Sequence, residues 1–302
     1  MHLTTLAIFF ELSRTAFSTC AAGAVLFVIA AVAARNDVAQ ARGLDKAVAL
    51  GYMLFAMPLA IFGAEHLSAA QGISQAVPSF MPWPLFWTYL VGFALIAASL
   101  SIATKIQIRW SGLFFGIMMF SFVAMMDIPG VIQKPHDRFG WALLLRELSF
   151  GSGGWLFSAS ATDGWQPRAK STLITVGRIV LGISAIFYGV EHFLHPWGMP
   201  GVPLEKEMPA WIPLRALIGY LTGAMLLGCG VCILLAKKTR LAAAYLGAFI
   251  ALEVLVIYGP VLILALLDPS TAVKVEGINY FGDTMLYAGT TLGLAIASPQ
   301  TE

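Results

Sequence analysis

Long apolar runs separated by short polar connections dominate the chain. Nine such runs occupy about 17–34, 47–64, 85–104, 110–126, 140–160, 172–194, 214–236, 241–267 and 280–298. Each comes close to the roughly 20 apolar residues that a helix needs to cross the hydrocarbon core of a bilayer. The runs are too long and too continuously apolar for the alternating strands of a membrane barrel, and they are rich in Leu and Ala. The pattern therefore predicts an all-α integral membrane protein with about nine transmembrane helices.

The pattern also repeats. Gly63-Ala64-Glu65-His66 closes the second run and Gly189-Val190-Glu191-His192 closes the sixth, each after an Ile-Phe pair and 126 positions apart. A loop follows each: Met81-Pro82-Trp83-Pro84 in one case, Met208-Pro209-Ala210-Trp211-Ile212-Pro213 in the other. Beyond the loops the register is 131, matching Tyr89 with Tyr220, Arg109 with Arg240, Pro129 with Pro260, and Phe150-Gly151 with Phe281-Gly282. The change of register places a five-residue insertion in the later outer loop. Two tandem four-helix units are expected, 47–161 and 172–302, joined by a linker at 162–171 and preceded by an extra helix and loop at 1–46. Four crossings return the chain to its starting side, so the units are expected to be parallel, related by an axis along the membrane normal.

Composition agrees with the bilayer as solvent. Hydrophobic residues make up 59% and charged residues 11% of 302 positions, with mean hydropathy +0.81, more apolar surface than one water-soluble core hides. With a net charge of only +2 and no basic stripe, nucleic acid is not an expected partner. Arg35, Arg42, Lys46, Lys105, Arg109, Arg168, Lys170, Lys237, Lys238 and Arg240 fall on one side of the expected topology. Only Arg14, Lys134, Arg138, Lys206 and Lys274 fall on the other, which puts the first group in the cytoplasm, the N-terminus outside and the C-terminus inside. Ala31-Val32-Ala33 mimics a signal-peptide cleavage site, yet the basic residues follow the apolar run, the reverse of a secretory signal, so the first run is expected to stay as a helix.

The Gly-x-Glu-His-Phe sequence at Gly189–Phe193, followed by a Pro- and Trp-containing loop ending Met208-Pro209-Ala210-Trp211-Ile212-Pro213, resembles the DoxX-like family of bacterial membrane proteins. The resemblance is good over 172–298, weaker over 47–160, and does not include the first helix. It implies a multi-pass protein of the bacterial cytoplasmic membrane and a link to membrane redox chemistry, as in the related DoxD and MauE groups: thiosulfate oxidation coupled to quinone, thiol handling, or maturation of periplasmic dehydrogenases. It carries no catalytic motif that transfers residue by residue.

Ionisable groups within a bilayer are costly, about 2.5–3.5 kcal/mol at the centre on insertion scales, so each needs a partner or a purpose. The candidates are Glu65, His66, Arg146, Glu147, Glu191, His192, Glu253 and Asp283. Glu65 and Glu191 are expected at outer helix ends, Arg146 and Glu147 roughly 9 Å deep, Asp283 shallower and Glu253 near mid-membrane. With Asp127, His136, His195 and Asn279, they concentrate in the outer half. One polar pocket per unit is expected, from Glu65, His66, Arg146 and Glu147 in the first and from Glu191, His192, Asn279 and Asp283 in the second. The same residues can equally serve assembly, with Arg146 neutralising Glu65 or Glu147 and Glu191 capping a neighbouring helix. No metal site is expected, because adjacent Glu191 and His192 point about 100° apart, although His192 and His195 share a face. Cys229-Gly230-Val231-Cys232 has thiol-exchange spacing, but its counterparts Ala98 and Ser101 are small, which points to close helix packing. Trp83, Trp87, Trp197, Trp211 and Tyr220 suit headgroup anchoring or a quinone entry.

Walker, dinucleotide-binding, Gly-x-Ser-x-Gly and His-Glu-x-x-His motifs are absent from the sequence, as are paired mid-helix histidines for a haem. Three functions remain open: a subunit of a redox or respiratory assembly handling a quinone or a small sulfur or thiol compound with a partner protein, a proton-coupled small-molecule transporter, and a structural or chaperone-like subunit.

Overall fold

The computed structural model describes residues 13–161, 164–202 and 206–299. Among them the chain forms long helices that alternate in direction: α1 Arg14–Gln40, α2 Asp45–Ser68, α3 Pro84–Thr104, α4 Ile108–Gln133, α5 Arg138–Ala159, α6 Pro167–Leu194, α7 Arg215–Leu234, α8 Thr239–Leu267 and α9 Thr271–Ala297. No strand occurs among the described residues. Seven of these helices are long and apolar enough to cross a membrane, all but α5 and α9. The chain is thus an all-α, multi-pass membrane protein. Of the linker expected at 162–171, Thr162 and Asp163 lie outside the described residues.

The composition of α5 and α9 follows from their position. They pack against each other at the centre, α5 also touching α4 and α6, and α9 also touching α2 and α8. Nearly every residue of Gly282–Ala295 is buried. A helix screened from lipid by its neighbours has no need of a continuous apolar surface, and these two carry Arg146, Glu147, Lys274, Glu276 and Asp283. Residues such as Val25, Val28, Phe93 and Phe114 are instead exposed on the outer helices, where the bilayer takes the place of a core.

Local chemistry sets the helix ends. Ser13 Oγ accepts from the Ala16 N–H at 3.3 Å and opens α1; Asp137 Oδ1 accepts from the Phe139 N–H at 3.1 Å and opens α5. Pro84 and Pro167 stand at the first positions of α3 and α6, where a missing N–H costs nothing. α4 runs on past the end of its apolar run, to Gln133, and α8 stays helical through the whole of its own, to Leu267. Each widens into a π turn, Val123–Asp127 and Val254–Tyr258, and continues past Pro129 or Pro260. A proline inside a helix removes one hydrogen bond and crowds the carbonyl four residues back, and the wider turn absorbs both.

Close helix contacts rely on glycine. A Cβ on Gly112 would lie 2.4 Å from the Gly154 carbonyl oxygen, and one on Gly63 would lie 2.9 Å from that of Gly92. α4 and α5, and α2 and α3, meet backbone to backbone at these points.

Candidate functional site

At the end of the bundle where α2, α4, α5 and α9 come together, a cavity of about 360 Å³ opens. Its walls are apolar and largely aromatic or Met: Phe62, Phe115, Met119, Phe122, Phe150 and Leu286, with Trp87 and Val91 from α3. Its titratable positions are His66, Asp127, Glu147 and Asp283, and Thr88 adds a hydroxyl. A neighbouring hollow shares Met126, Asp127 and Leu143 with it and reaches Lys134 and Asp137 in the connection between α4 and α5.

Each polar side chain owes its place to a helix. His66 sits near the end of α2, where its ring Nδ1 lies 2.8 Å from the Phe62 carbonyl oxygen. A carbonyl only accepts, so Nδ1 carries the proton, and in a neutral ring of this tautomer Nε2 is an acceptor. Asp127 ends the π turn of α4, and its Oδ2 is buried without a hydrogen-bond partner. Asp283 of α9 forms a 2.8 Å ion pair with Arg146 Nη1 of α5, the residue next to Glu147. Trp87 and Thr88 keep their protons for the backbone, donating to the Pro82 and Pro84 carbonyls. Three carboxyl groups and one imidazole thus gather beside an apolar chamber with a guanidinium behind them.

The structure groups the sequence candidates differently from the two pockets expected. Glu65 Oε1 accepts from Asn279 Nδ2 at 3.3 Å, and Arg146 pairs with Asp283, so residues assigned to separate units meet. The reason is topological: α9 packs against α2 and α5 against α6, so each four-helix stretch lends its last helix to the first helix of the other. Glu191 lies away from the cavity and takes Arg138 Nη1 at 3.1 Å, with His195 Nε2 at 3.9 Å. His192 and Glu253 are buried under the loop after α6, His192 against Gly201 and Glu253 against the Thr222 hydroxyl. Glu65, His66, Arg146, Glu147 and Asp283 therefore surround or adjoin the chamber, while Glu191, His192 and Glu253 do not.

One chamber residue, Asp127, and one ion-pair partner outside the chamber, Arg138, were not singled out by the sequence. Asp127 appeared there only among the outer polar residues, although Pro129 two positions on announces a break in helical geometry, a frequent setting for functional side chains. Arg138 appeared only as a loop charge, and nothing in its spacing ties it to Glu191 across 53 positions. Cys229 is half-buried and Cys232 exposed on α7, remote from the chamber, and both thiols are free. No family model, no curated protein and no solved structure matches this chain.

Proposed function

We propose that the chain is an inner-membrane subunit of a bacterial redox assembly that holds a quinone-type molecule in the chamber between α2, α4, α5 and α9 at the outer face. The observation that carries this reading is the chamber itself. About 360 Å³ falls within the range of small-molecule sites, and flat aromatic and Met walls ending in a few titratable groups suit an apolar ring with polar substituents. A quinone supplies two-electron, two-proton chemistry when bound. The chain's own part is to pack Phe62, Phe115, Phe122 and Phe150 around the ring, exclude water, and exchange protons through His66, Glu147 and Asp127 toward the hollow at Lys134 and Asp137. A redox partner protein on the outer side exchanges the electrons. A small sulfur or thiol compound would use the same acceptors.

The architecture proposed with this function is nine crossings, with α2–α5 and α6–α9 as parallel DoxX-like halves and α1 as an addition. Lengths of 22 and 27 residues support crossings by α5 and α9, about 33 and 40 Å at 1.5 Å per residue. Support for the repeat comes from backbone features 131 positions apart. The left-handed residues Trp83, Lys105 and Gln107 recur as Leu214, Ala236 and Lys238, and the two π turns recur in the same register. Helix neighbours recur too: α2 with α3 as α6 with α7, α4 with α5 as α8 with α9, and α2 with α9 as α6 with α5. Charge placement supports an outside N-terminus, since Arg35, Lys105, Arg168 and Lys238 gather at the end opposite the chamber.

The test is purification in mild detergent, mass spectrometry of the co-extracted lipid, and titration with a short-chain ubiquinone analogue followed by tryptophan quenching. Saturable quenching that Met119→Trp abolishes by filling the chamber is the expected result. An extract without quinone together with a flat titration would sink the redox reading, and pH-driven uptake of a solute into liposomes would replace it with transport.

A further inference from the structure

The loop after α6 behaves unlike its shorter counterpart after α2. Met199 and Val202 are 2% and 1% exposed, and between them the chain turns inward. Gly201, with φ +92°, places its carbonyl oxygen and its nitrogen 2.9 and 3.1 Å from His192 Nε2, and the Pro200 carbonyl accepts from the Tyr258 hydroxyl. A Cβ at Gly201 would meet Thr284 Cγ2 at 3.2 Å, Glu253 Oε2 at 3.8 Å and Ile250 Cδ1 at 4.0 Å. The strap Met199–Val202 is therefore seated in a crevice between α6, α8 and α9.

In the repeat register this crevice is the chamber of the other half. His192 corresponds to His66, Ile250 to Met119, Glu253 to Phe122 and Tyr258 to Asp127, and all four counterparts line the open chamber. We propose that the second half holds a second binding site for the same class of ligand, an apolar ring bearing carbonyl groups, and that the strap fills it, so the chain takes one such ligand rather than two. This inference rests on the two-half, quinone-type reading given above.

The strap resembles that ligand in what it presents. Two backbone carbonyls, those of Pro200 and Gly201, face Tyr258 and His192, and the flanking Met199 and Val202 side chains are apolar. It is also an incomplete substitute. His192 Nδ1 and Glu253 Oε2 are buried beneath it without hydrogen-bond partners, which is the cost of lining a polar site with a segment that cannot reach every group. The five extra residues of this loop give it the length to turn inward, and Gly201 permits the turn because a left-handed backbone and the nearby Thr284 both oppose a side chain.

Replacing Met199–Val202 by Gly-Ser-Gly-Ser in the full-length protein, and counting bound short-chain ubiquinone analogue by equilibrium dialysis, tests the inference. The natural chain is expected to bind one equivalent and the replaced chain two, with His192→Phe in the replaced chain returning the count to one. A folded replacement that still binds one equivalent overturns the proposal. If the replacement does not fold, Gly201→Leu expels the strap by strain and contact and is read in the same way. A natural chain that binds none beside an opened chain that binds one would remove the first-half ligand reading and keep the strap; no binding by either would remove both.

Discussion

Arg146 and Asp283 stand on the two central helices and close a 2.8 Å ion pair between them, each side chain only 14% exposed. The pair links the N-terminal and C-terminal stretches of the bundle beside the chamber. Breaking a buried ion pair by removing one partner typically costs about 3–5 kcal/mol, whereas replacing both partners with apolar groups of similar volume is often close to neutral. Arg146→Met and Asp283→Leu are each expected to lower the thermal midpoint in detergent strongly, and the double variant to recover most of the loss. Additive losses in the double variant would show that the two residues act separately.

Glycine contacts give a second prediction with an internal control. Gly112→Ala drives a methyl to 2.4 Å from the Gly154 carbonyl oxygen, so α4 and α5 must separate, at a cost of about 1–3 kcal/mol. Gly228 on α7 has nothing within 4 Å of the position its Cβ would take. Gly228→Ala is expected to be neutral or to stabilise by about 0.5–1 kcal/mol through helix propensity. Thermal unfolding of both variants in one detergent compares them directly, and equal destabilisation would mean that the close approach of α4 and α5 is not what glycine is needed for.

The membrane character and most helix positions were legible in the apolar runs because lipid-facing helices must be uniformly apolar. Two ends were not. α4 runs on to Gln133 and α9 begins at Thr271, beyond runs that end near 126 and begin near 280. In α4 the π turn carries the helix through Pro129, which a proline ordinarily forbids; in α9 the first turns lie against α8 and need no apolar stretch. The candidate residues were legible as types, since charge inside an apolar run stands out. Their partners were not. A constant register says which segments are alike, but the neighbour that each helix chooses depends on packing, and so Glu65 finds Asn279 and Arg138 finds Glu191. The strap was hidden because an inward-turning loop and an outward one have the same Pro- and Trp-rich composition.

Orientation yields a third prediction. With Cys20, Cys229 and Cys232 replaced by Ser, a single cysteine at Lys206 is expected to react with a membrane-impermeant maleimide added to intact spheroplasts, and one at Lys238 only after lysis. Lys206 pairs with Glu276 at the chamber end, while Lys238 stands at the opposite end between α7 and α8. The reverse labelling pattern would invert the protein and move the chamber to the cytoplasmic face.

His66 offers the sharpest separation of a ligand role from a structural one. Its ring is held by Nδ1 on the Phe62 carbonyl of its own helix, a local contact that other residues of α2 do not depend on, and the ring forms part of the chamber wall. His66→Phe keeps an aromatic wall and removes both polar atoms. One hydrogen bond to a ligand is worth about 0.5–1.5 kcal/mol, and the upper figure corresponds to roughly tenfold in affinity. Binding of the short-chain analogue in its reduced, quinol form, whose hydroxyl can donate to His66 Nε2, is expected to weaken by about that factor in His66→Phe, with a thermal midpoint close to that of the natural chain. Unchanged affinity would mean that His66 only shapes the wall, leaving Asp127 and Glu147 as the groups that engage the ligand. A large loss of stability with no separate change in binding would instead assign the His66–Phe62 contact to holding the end of α2.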